Sequence, residues 1–377
     1  MPPRTPAPPP SLIPLYGHAA LQTRLRDAVA RGALPASLLF HGPRGIGKQR
    51  LALWLGQLML CESAPFPGSL ATIAGREAPC GACNQCRFTG RLAHPDLHWF
   101  FPRPRLKDSE PDAAEINSDL AEAIAERIEA SGLYPAPGGD EAIFVASVRA
   151  IVKSAILSPA MARRKVYVIG DAERMVAQAG ADQAANAFLK LLEEPPADTF
   201  IILTSSESGA LLPTIKSRVV SLRVLPLLPP DVHAFFSDPV VAARVSADHG
   251  SLGASALVEA AAGAPGQIFG HDALEAATAS AQTILDAAMA GDPSKVFRAA
   301  FVQGTTKSRG RFSDTLAILT TLLHRRARES AGRDDRGARG AAAAVDAVER
   351  AKVLADNNGN PELITVSLLR EISPLLS

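Results

Sequence analysis

The four cysteines of the chain have the spacing of a metal site. Cys80, Cys83 and Cys86 are separated by two residues each, and Cys61 lies upstream of them. Four thiolates match the tetrahedral coordination that zinc prefers, and a set of four leaves no position open for a substrate. The sequence therefore predicts a structural zinc site, with unrelated buried thiols or disulfides as the alternative.

A glycine-rich segment, GPRGIGK from Gly42 to Lys48, has the composition of a phosphate-binding loop. In such a loop backbone amides surround the phosphates, the lysine neutralises them, and the hydroxyl of a following Ser or Thr binds magnesium. Here the following residue is Gln49. We expect Gly42, Gly45, Gly47 and Lys48 to be able to accept phosphate, with magnesium binding weakened.

Asp171 and Thr204, which follow predicted strands, complete this candidate site. Asp171 offers a carboxylate to a metal, but the next residue, Ala172, has a methyl group that cannot accept a proton. Glu173 is displaced by one position, which would direct its side chain elsewhere. Thr204 ends another predicted strand, where its hydroxyl could contact a terminal phosphate or simply cap a turn. We expect weak ATP binding at most, and no hydrolysis.

The elements that must position these residues alternate between strands and helices. The pattern predicts strands at 37–40, 97–100, 165–169 and 200–203, and helices near 21–29, 113–131, 145–157 and 184–192. Such alternation favours an α/β fold with a parallel sheet covered on both faces. Prolines between Leu225 and Pro230 predict a domain boundary, beyond which we expect only helices.

Composition limits the classes of function. A chain of 377 residues should hold two or three domains. Its 39 basic and 38 acidic residues nearly cancel, so the chain lacks the positive electrostatic field expected of a protein that binds nucleic acid by itself. The basic run Arg163–Lys165 could contact DNA or form a solvated turn. The chain lacks the pattern of a secretory signal, and its apolar stretches are too short to span a bilayer, so we expect a cytoplasmic protein without membrane contact.

Three motifs lie in the second half of the predicted α/β region: the segments Val166–Ala172 and Ala185–Pro196 and the pair Ser217-Arg218. Together they resemble the clamp-loader branch of the AAA+ ATPases. The cysteine insertion after the phosphate loop is similar to that of the bacterial DNA polymerase III loader. The resemblance covers the chain from about Tyr16 to Leu225.

The resemblance implies three domains. Residues 1–225 would form an AAA+ nucleotide-binding-like module, an α/β P-loop fold with a four-cysteine zinc insertion at 61–86 and an extra insertion at 102–140. Residues 226–271 would form a small helical lid domain, and residues 272–377 an all-α collar domain for oligomerisation. Gln267 stands where motor subunits of the family carry an arginine that senses nucleotide.

In this family Ser217-Arg218 would present its arginine to nucleotide on an adjacent subunit, although an ordinary surface arginine is the alternative. The degenerate motifs imply a non-hydrolysing loader subunit. Its partners would be the motor ATPase and delta subunits, and through the complex the sliding clamp and primer-template DNA. Two alternatives remain: an ATP-hydrolysing motor subunit of the same loader, and a free-standing zinc-dependent nucleic-acid-binding protein.

Overall fold

A computed structural model describes residues 11–64, 79–108, 111–138, 141–175, 182–249, 254–269, 271–303, 312–330, 334–356 and 360–376. The chain divides into two compact units. The first comprises Met1–Ala136 and Ala142–Phe269, and the second comprises Gly270–Ser377 together with the short segment Pro137–Glu141. The candidate site residues all lie in the first unit.

A five-stranded parallel sheet forms the centre of the first unit. Its strand order is β2-β3-β4-β1-β5. The strands are β1 Ser37–His41, β2 Leu97–Phe100, β3 Lys165–Ile169, β4 Thr199–Ser205 and β5 Val220–Arg223. The α/β fold and the four predicted strands are confirmed. The edge strand β5 is missing from the prediction because it is short and largely exposed, so its apolar residues form no continuous run.

The described residues of the first unit also form helices. They are α1 Ala19–Ala30, α2 Lys48–Leu60, α3 Asn84–Gly90, α4 Ala113–Glu129, α5 Val145–Ala155, α6 Asp182–Glu193, α7 Pro213–Lys216, α8 Pro229–Phe236, α9 Pro239–His249 and α10 Ala254–Ala261. Single 3₁₀ turns occur at Ala172–Arg174 and Pro265–Ile268. The four predicted helices are confirmed within a few residues at their ends.

Helix α2 places the residues after the phosphate loop against the sheet. It packs on β1, β3 and β4, and the side chains of Leu51, Leu55 and Leu58 are fully buried. Burial of a leucine side chain contributes roughly 2 kcal/mol. The sequence Leu-Ala-Leu-Trp-Leu from Leu51 is apolar on nearly every face, as expected of a helix inside a core. The start of α2, where Lys48 and Gln49 lie, is therefore fixed on the sheet.

The insertion at 102–140 contains one long helix. Its helix α4 begins with a capping box, in which the Asp112 carboxylate accepts hydrogen bonds from the amides of Ala114 and Glu115 while the Glu115 carboxylate accepts one from the Asp112 amide. This local arrangement explains why the helix begins at Ala113. Its residues Ile116, Leu120 and Ala123 are buried, so the helix belongs to the core of the first unit.

The second unit is helical in all of its described regular elements. Its helices are α11 His271–Ala290, α12 Pro293–Gln303, α13 Phe312–Ser330, α14 Asp335–Asp356 and α15 Pro361–Leu376. Small and branched side chains such as Ala281, Leu316, Ala344 and Leu369 form its core. Residues 226–269 are counted with the first unit, so the division into three domains stays a prediction. None of the described helices is long and apolar enough to cross a membrane.

Candidate nucleotide-loop site, surface arginine and cysteine cluster

Lys48 lies at the first position of α2, and its side chain is turned back towards its own loop. The buried Nζ donates hydrogen bonds to the Pro43 carbonyl at 2.7 Å and to Ser206 Oγ at 2.9 Å. Burial lowers the pKa of Lys48 to about 8, although the carboxylates of Asp171 and Glu173 act to raise it. The ammonium thus has protein partners from the loop and from the residue after β4.

The 3₁₀ turn Pro265–Ile268 packs directly on the phosphate loop. The Gly266 amide donates to the Gly45 carbonyl at 2.9 Å, and Gln267 Nε2 donates to the Arg44 carbonyl at 3.0 Å. A Cβ atom on Gly45 would lie 2.7 Å from the Gln267 nitrogen, so this close approach requires glycine. Gln267 therefore contacts the loop backbone itself.

The other two loop glycines lie at the ends of the segment. Gly42 follows β1, and a Cβ atom there would lie 2.2 Å from the Val224 carbonyl oxygen. Gly47 has a positive φ of 88° and is the N-cap of α2. The side chain of His18 approaches the same turn, with Nε2 at 2.7 Å from the Ile46 carbonyl oxygen. The structure thus confirms a strand, glycine loop and helix in the expected order.

Gln49 lies at the centre of a polar cluster. Its Nε2 donates to Asp171 Oδ2 at 2.9 Å, and its Oε1 accepts from Trp99 Nε1 at 3.1 Å and from the Tyr134 hydroxyl at 3.4 Å. Gly170 leaves the space for this side chain, because a Cβ atom there would lie 2.5 Å from Gln49 Oε1. We name these five residues the Gln49 cluster.

The donor set beside Asp171 does not fit a magnesium ion. Magnesium takes oxygen ligands in a near-octahedral arrangement, whereas Gln49 presents an N–H group to the carboxylate and turns its own oxygen towards Trp99. Burial raises the pKa of Asp171, and nearby Glu173 raises it further. The Asp171 amide donates to Thr204 Oγ1 at 3.1 Å. Thr204 thus supports the strand end that carries Asp171.

Of the two residues after Asp171, only Glu173 has a carboxylate, and its side chain is bound elsewhere. Ala172 is buried at the start of the 3₁₀ turn. Glu173 Oε1 accepts a hydrogen bond from the Ser206 amide at 2.8 Å, so this side chain binds the end of β4. Ser206 therefore joins Glu173 and Lys48, through its amide and its hydroxyl respectively.

Arg218 lies after the short helix α7, on the surface of the first unit. Its Nε donates to Glu193 Oε2 at 2.9 Å, and an Nη atom donates to the Thr214 carbonyl at 3.0 Å. About a third of the side chain is exposed, at 30%. The pair joins the end of α6 to the segment after α7. The guanidinium is thus held by its own chain and still partly accessible.

The four cysteine sulfurs converge. Their Sγ atoms all lie within 4.8 Å of one another, and those of Cys61 and Cys83 are 4.0 Å apart. The Cys83 amide points to Cys80 Sγ and the Cys86 amide to Cys83 Sγ, each at 3.4 Å. A hydrogen bond from Cys86 lowers the pKa of the Cys61 thiol to about 5. This donor set can hold one metal ion with all four sulfurs. Residues 65–78 of the predicted insertion lie outside the described residues.

Several side chains that contact the predicted residues were not expected from the sequence. Among them are Trp99, Tyr134, Ser206 and Glu193. Ser206 could have been found, since it follows Thr204 by two positions at the same strand end. The others are brought in by tertiary packing and carry no local signal.

Lys165, the last residue of the basic run, is buried. Its Nζ donates to the carbonyls of Ser154, Ala155 and Leu157, so this member of the run forms neither a DNA contact nor a solvated turn.

The family model and the relatives described below all carry the names of DNA polymerase III subunits. Residues 17–227, more than half of the chain, match the family model described as "DNA polymerase III, delta subunit". The "DNA polymerase III subunit delta'" of Bacillus subtilis is 28% identical over 54% of this chain and 46% of its own length. That of Pseudomonas aeruginosa is 33% identical over 48% of this chain and 40% of its own length.

A relative with a different subunit name matches as well. The "DNA polymerase III subunit gamma/tau" of Mycobacterium tuberculosis H37Rv is 27% identical over 58% of this chain and 29% of its own length. The chain therefore spans less than half the length of the curated relatives it matches. The family model covers the segment that contains the phosphate loop, the cysteines and Arg218. The chain belongs to the DNA polymerase III delta subunit family, on its clamp-loader delta prime branch.

Proposed function

We propose that the chain is a non-hydrolysing subunit of a DNA polymerase III clamp loader, which completes the ATPase site of a neighbouring subunit with Arg218. The observation that carries this proposal is the partly exposed guanidinium of Arg218, held at the surface by Glu193 and Thr214. An arginine supplied from a neighbour stabilises the charge that develops on a transferring phosphoryl group. Its planar fork suits phosphate oxygens.

The ion pair with Glu193 is compatible with such a role. Both side chains are accessible to solvent, and an exposed ion pair contributes only about 0–1 kcal/mol. A phosphate group carries more negative charge than one carboxylate and would compete effectively for the guanidinium. Glu193 would then keep the orientation of Arg218 defined until a nucleotide on the neighbour replaces it.

The chain's own loop lacks two parts that hydrolysis requires. Magnesium needs oxygen ligands next to the loop, but Gln49 directs its amide nitrogen to Asp171. Water needs a base, but Ala172 offers a methyl group and Glu173 is bound to the Ser206 amide. Gly42, Gly45, Gly47, Lys48, Gln49, Asp171 and Thr204 would together form a degenerate nucleotide site.

The cysteine cluster would hold zinc as a structural ion. Four thiolates within one coordination sphere are typical of closed zinc sites, and such a site contributes its binding energy to folding. Zinc would fasten the insertion to helix α2, since Cys61 follows the last residue of that helix. It would take no part in catalysis.

The partners would be the motor ATPase and delta subunits, and through the assembled loader the sliding clamp and primer-template DNA. The module, lid and collar division would place the ATPase contacts in residues 1–225 and the ring contacts in residues 272–377. The protein would act in the cytoplasm, during DNA replication.

An ATP-hydrolysing motor subunit is the second candidate, because the chain is also similar to a gamma/tau subunit. Steady-state hydrolysis by the purified chain distinguishes the two functions. We expect no ATP turnover above background with magnesium, since the metal ligand and the base are both lost. Lys48→Ala is the control: magnesium-dependent hydrolysis that this substitution abolishes would assign the chain to the motor class.

A further inference from the structure

We propose that Gln49 occupies the place of a magnesium ion beside Asp171, and that the 102–140 insertion holds it there. In phosphate-loop ATPases magnesium lies between the residue after the loop lysine and an acidic residue at a strand end. Those two positions are joined here by a direct hydrogen bond of 2.9 Å. The proposal concerns the chain alone and does not depend on the role of Arg218.

The partners of Gln49 fix the orientation of its amide. The indole of Trp99 can only donate a hydrogen bond, so the Gln49 oxygen must face it. The amide nitrogen then faces the buried carboxylate of Asp171. Each polar atom of the glutamine side chain is therefore directed to a complementary group, and Asp171 has a neutral N–H donor at 2.9 Å.

The insertion supplies one wall of this cluster. Tyr134 follows α4, and its ring lies against the guanidinium of Arg127, with the Arg127 Cζ at 3.9 Å from the ring centroid. The same guanidinium lies 3.4 Å from the Phe101 centroid and 4.7 Å from the Trp99 centroid. A cation between aromatic faces stabilises their arrangement. Arg127 therefore fixes both rings whose polar atoms contact Gln49.

Gly170 gives an independent indication that the site is built around glutamine. The three atoms nearest to an added Cβ would all belong to the end of the Gln49 side chain, at 2.5 to 2.7 Å. Gly170 has no positive φ that would require glycine. The small residue is needed for the space it leaves, and only while Gln49 keeps its three hydrogen bonds.

The first experiment uses this steric relation in the full-length chain. Gly170→Ala should lower the urea midpoint of the otherwise wild-type protein, and the same substitution should have little effect in the Gln49→Thr background. Tyr134→Phe should likewise lower the urea midpoint in the wild-type background and have little effect in the Gln49→Thr background, because its hydroxyl contacts Gln49. Tyr167→Phe is the matched control: its hydroxyl binds Ser154 Oγ at 3.0 Å, and its effect should be equal in both backgrounds.

The second experiment measures ligand binding with a fluorescent ATP analogue, with and without magnesium. Magnesium should leave the affinity of the wild-type chain unchanged. In Gln49→Thr, which restores a hydroxyl and frees Asp171, magnesium should raise the affinity about tenfold or more, equivalent to ~1.4 kcal/mol. Equal costs of Gly170→Ala in both backgrounds, or a wild-type affinity that rises with magnesium as it does in Gln49→Thr, would overturn the proposal.

Discussion

At the level of single residues, the glutamine at position 49, in place of a serine or threonine, alters several contacts of the phosphate loop. A serine or threonine at position 49 could not reach Asp171, Trp99 and Tyr134 together, whereas the longer glutamine contacts all three. Lys48 meanwhile makes hydrogen bonds to Pro43 and Ser206. Residues of the types that bind nucleotide in a phosphate loop thus make hydrogen bonds within this protein instead.

The lowered pKa of Lys48 predicts a pH dependence of stability. Between its folded value of about 8 and the ordinary value of 10.5, the unfolded chain retains a proton that the folded chain has lost. Stability due to this group therefore rises with pH, by up to about 1.4 kcal/mol per unit. Urea denaturation should show the wild type gaining stability relative to Lys48→Met from pH 8 to pH 10. A difference that stays constant would show that Lys48 titrates normally.

The residues of the loop were predictable because they are contiguous in sequence, and the structure brings Lys48, Gln49, Asp171 and Thr204 together as parallel strand ends require. Trp99 and Tyr134 were not predictable. Trp99 reaches Gln49 because β2 pairs with β3, and Tyr134 because the insertion folds back on the sheet. Neither relation leaves a local pattern.

At the level of elements, periodicity predicted the buried strands and the long helices well because each has a distinct apolar pattern. Strand β5 lacks such an apolar pattern, because an edge strand buries few side chains. The start of α4 was predictable from its capping residues, but its contact with the Gln49 cluster was not, because the aromatic rings that join them are distant in sequence.

The cysteine insertion gives a prediction at this level. The purified chain should contain about one zinc ion, and Cys83→Ser should reduce the zinc content to near zero and lower the thermal stability of the first unit, because loss of one thiolate opens a closed site. Elemental analysis and thermal unfolding measure both effects. Chelator-treated wild type is the control and should resemble the variant. Full stability without zinc would show that the cysteines fold the insertion unaided.

At the level of the whole molecule, the chain combines an α/β unit with a separate helical unit. The first unit carries a partly exposed arginine and a glycine loop in which Gln49 binds Asp171. The sequence indicated this combination through its family motifs. The pairing of Arg218 with Glu193 was not evident, because the two residues belong to different motifs and meet only through the packing of α6 on α7.

If Arg218 acts on a neighbouring subunit, its substitution in the reconstituted loader should slow that subunit's ATPase. Arg218→Ala should leave folding and assembly intact but lower DNA- and clamp-stimulated ATPase activity and clamp loading. A trans arginine can contribute ~10³-fold in simple GTPases, but a loader with other intact interfaces should lose only the share that depends on this site. Arg218→Lys should rescue poorly, because lysine lacks the planar fork.

The matched control is Arg244→Ala, which removes another exposed arginine with a carboxylate partner, Asp248, at 2.7 Å. Both variants should be compared with wild type at equal assembly, by steady-state ATP hydrolysis and by clamp loading onto primed DNA. We expect reduced rates for Arg218→Ala and wild-type rates for Arg244→Ala. Unchanged rates for Arg218→Ala in both assays would contradict it and leave Arg218 as a surface residue.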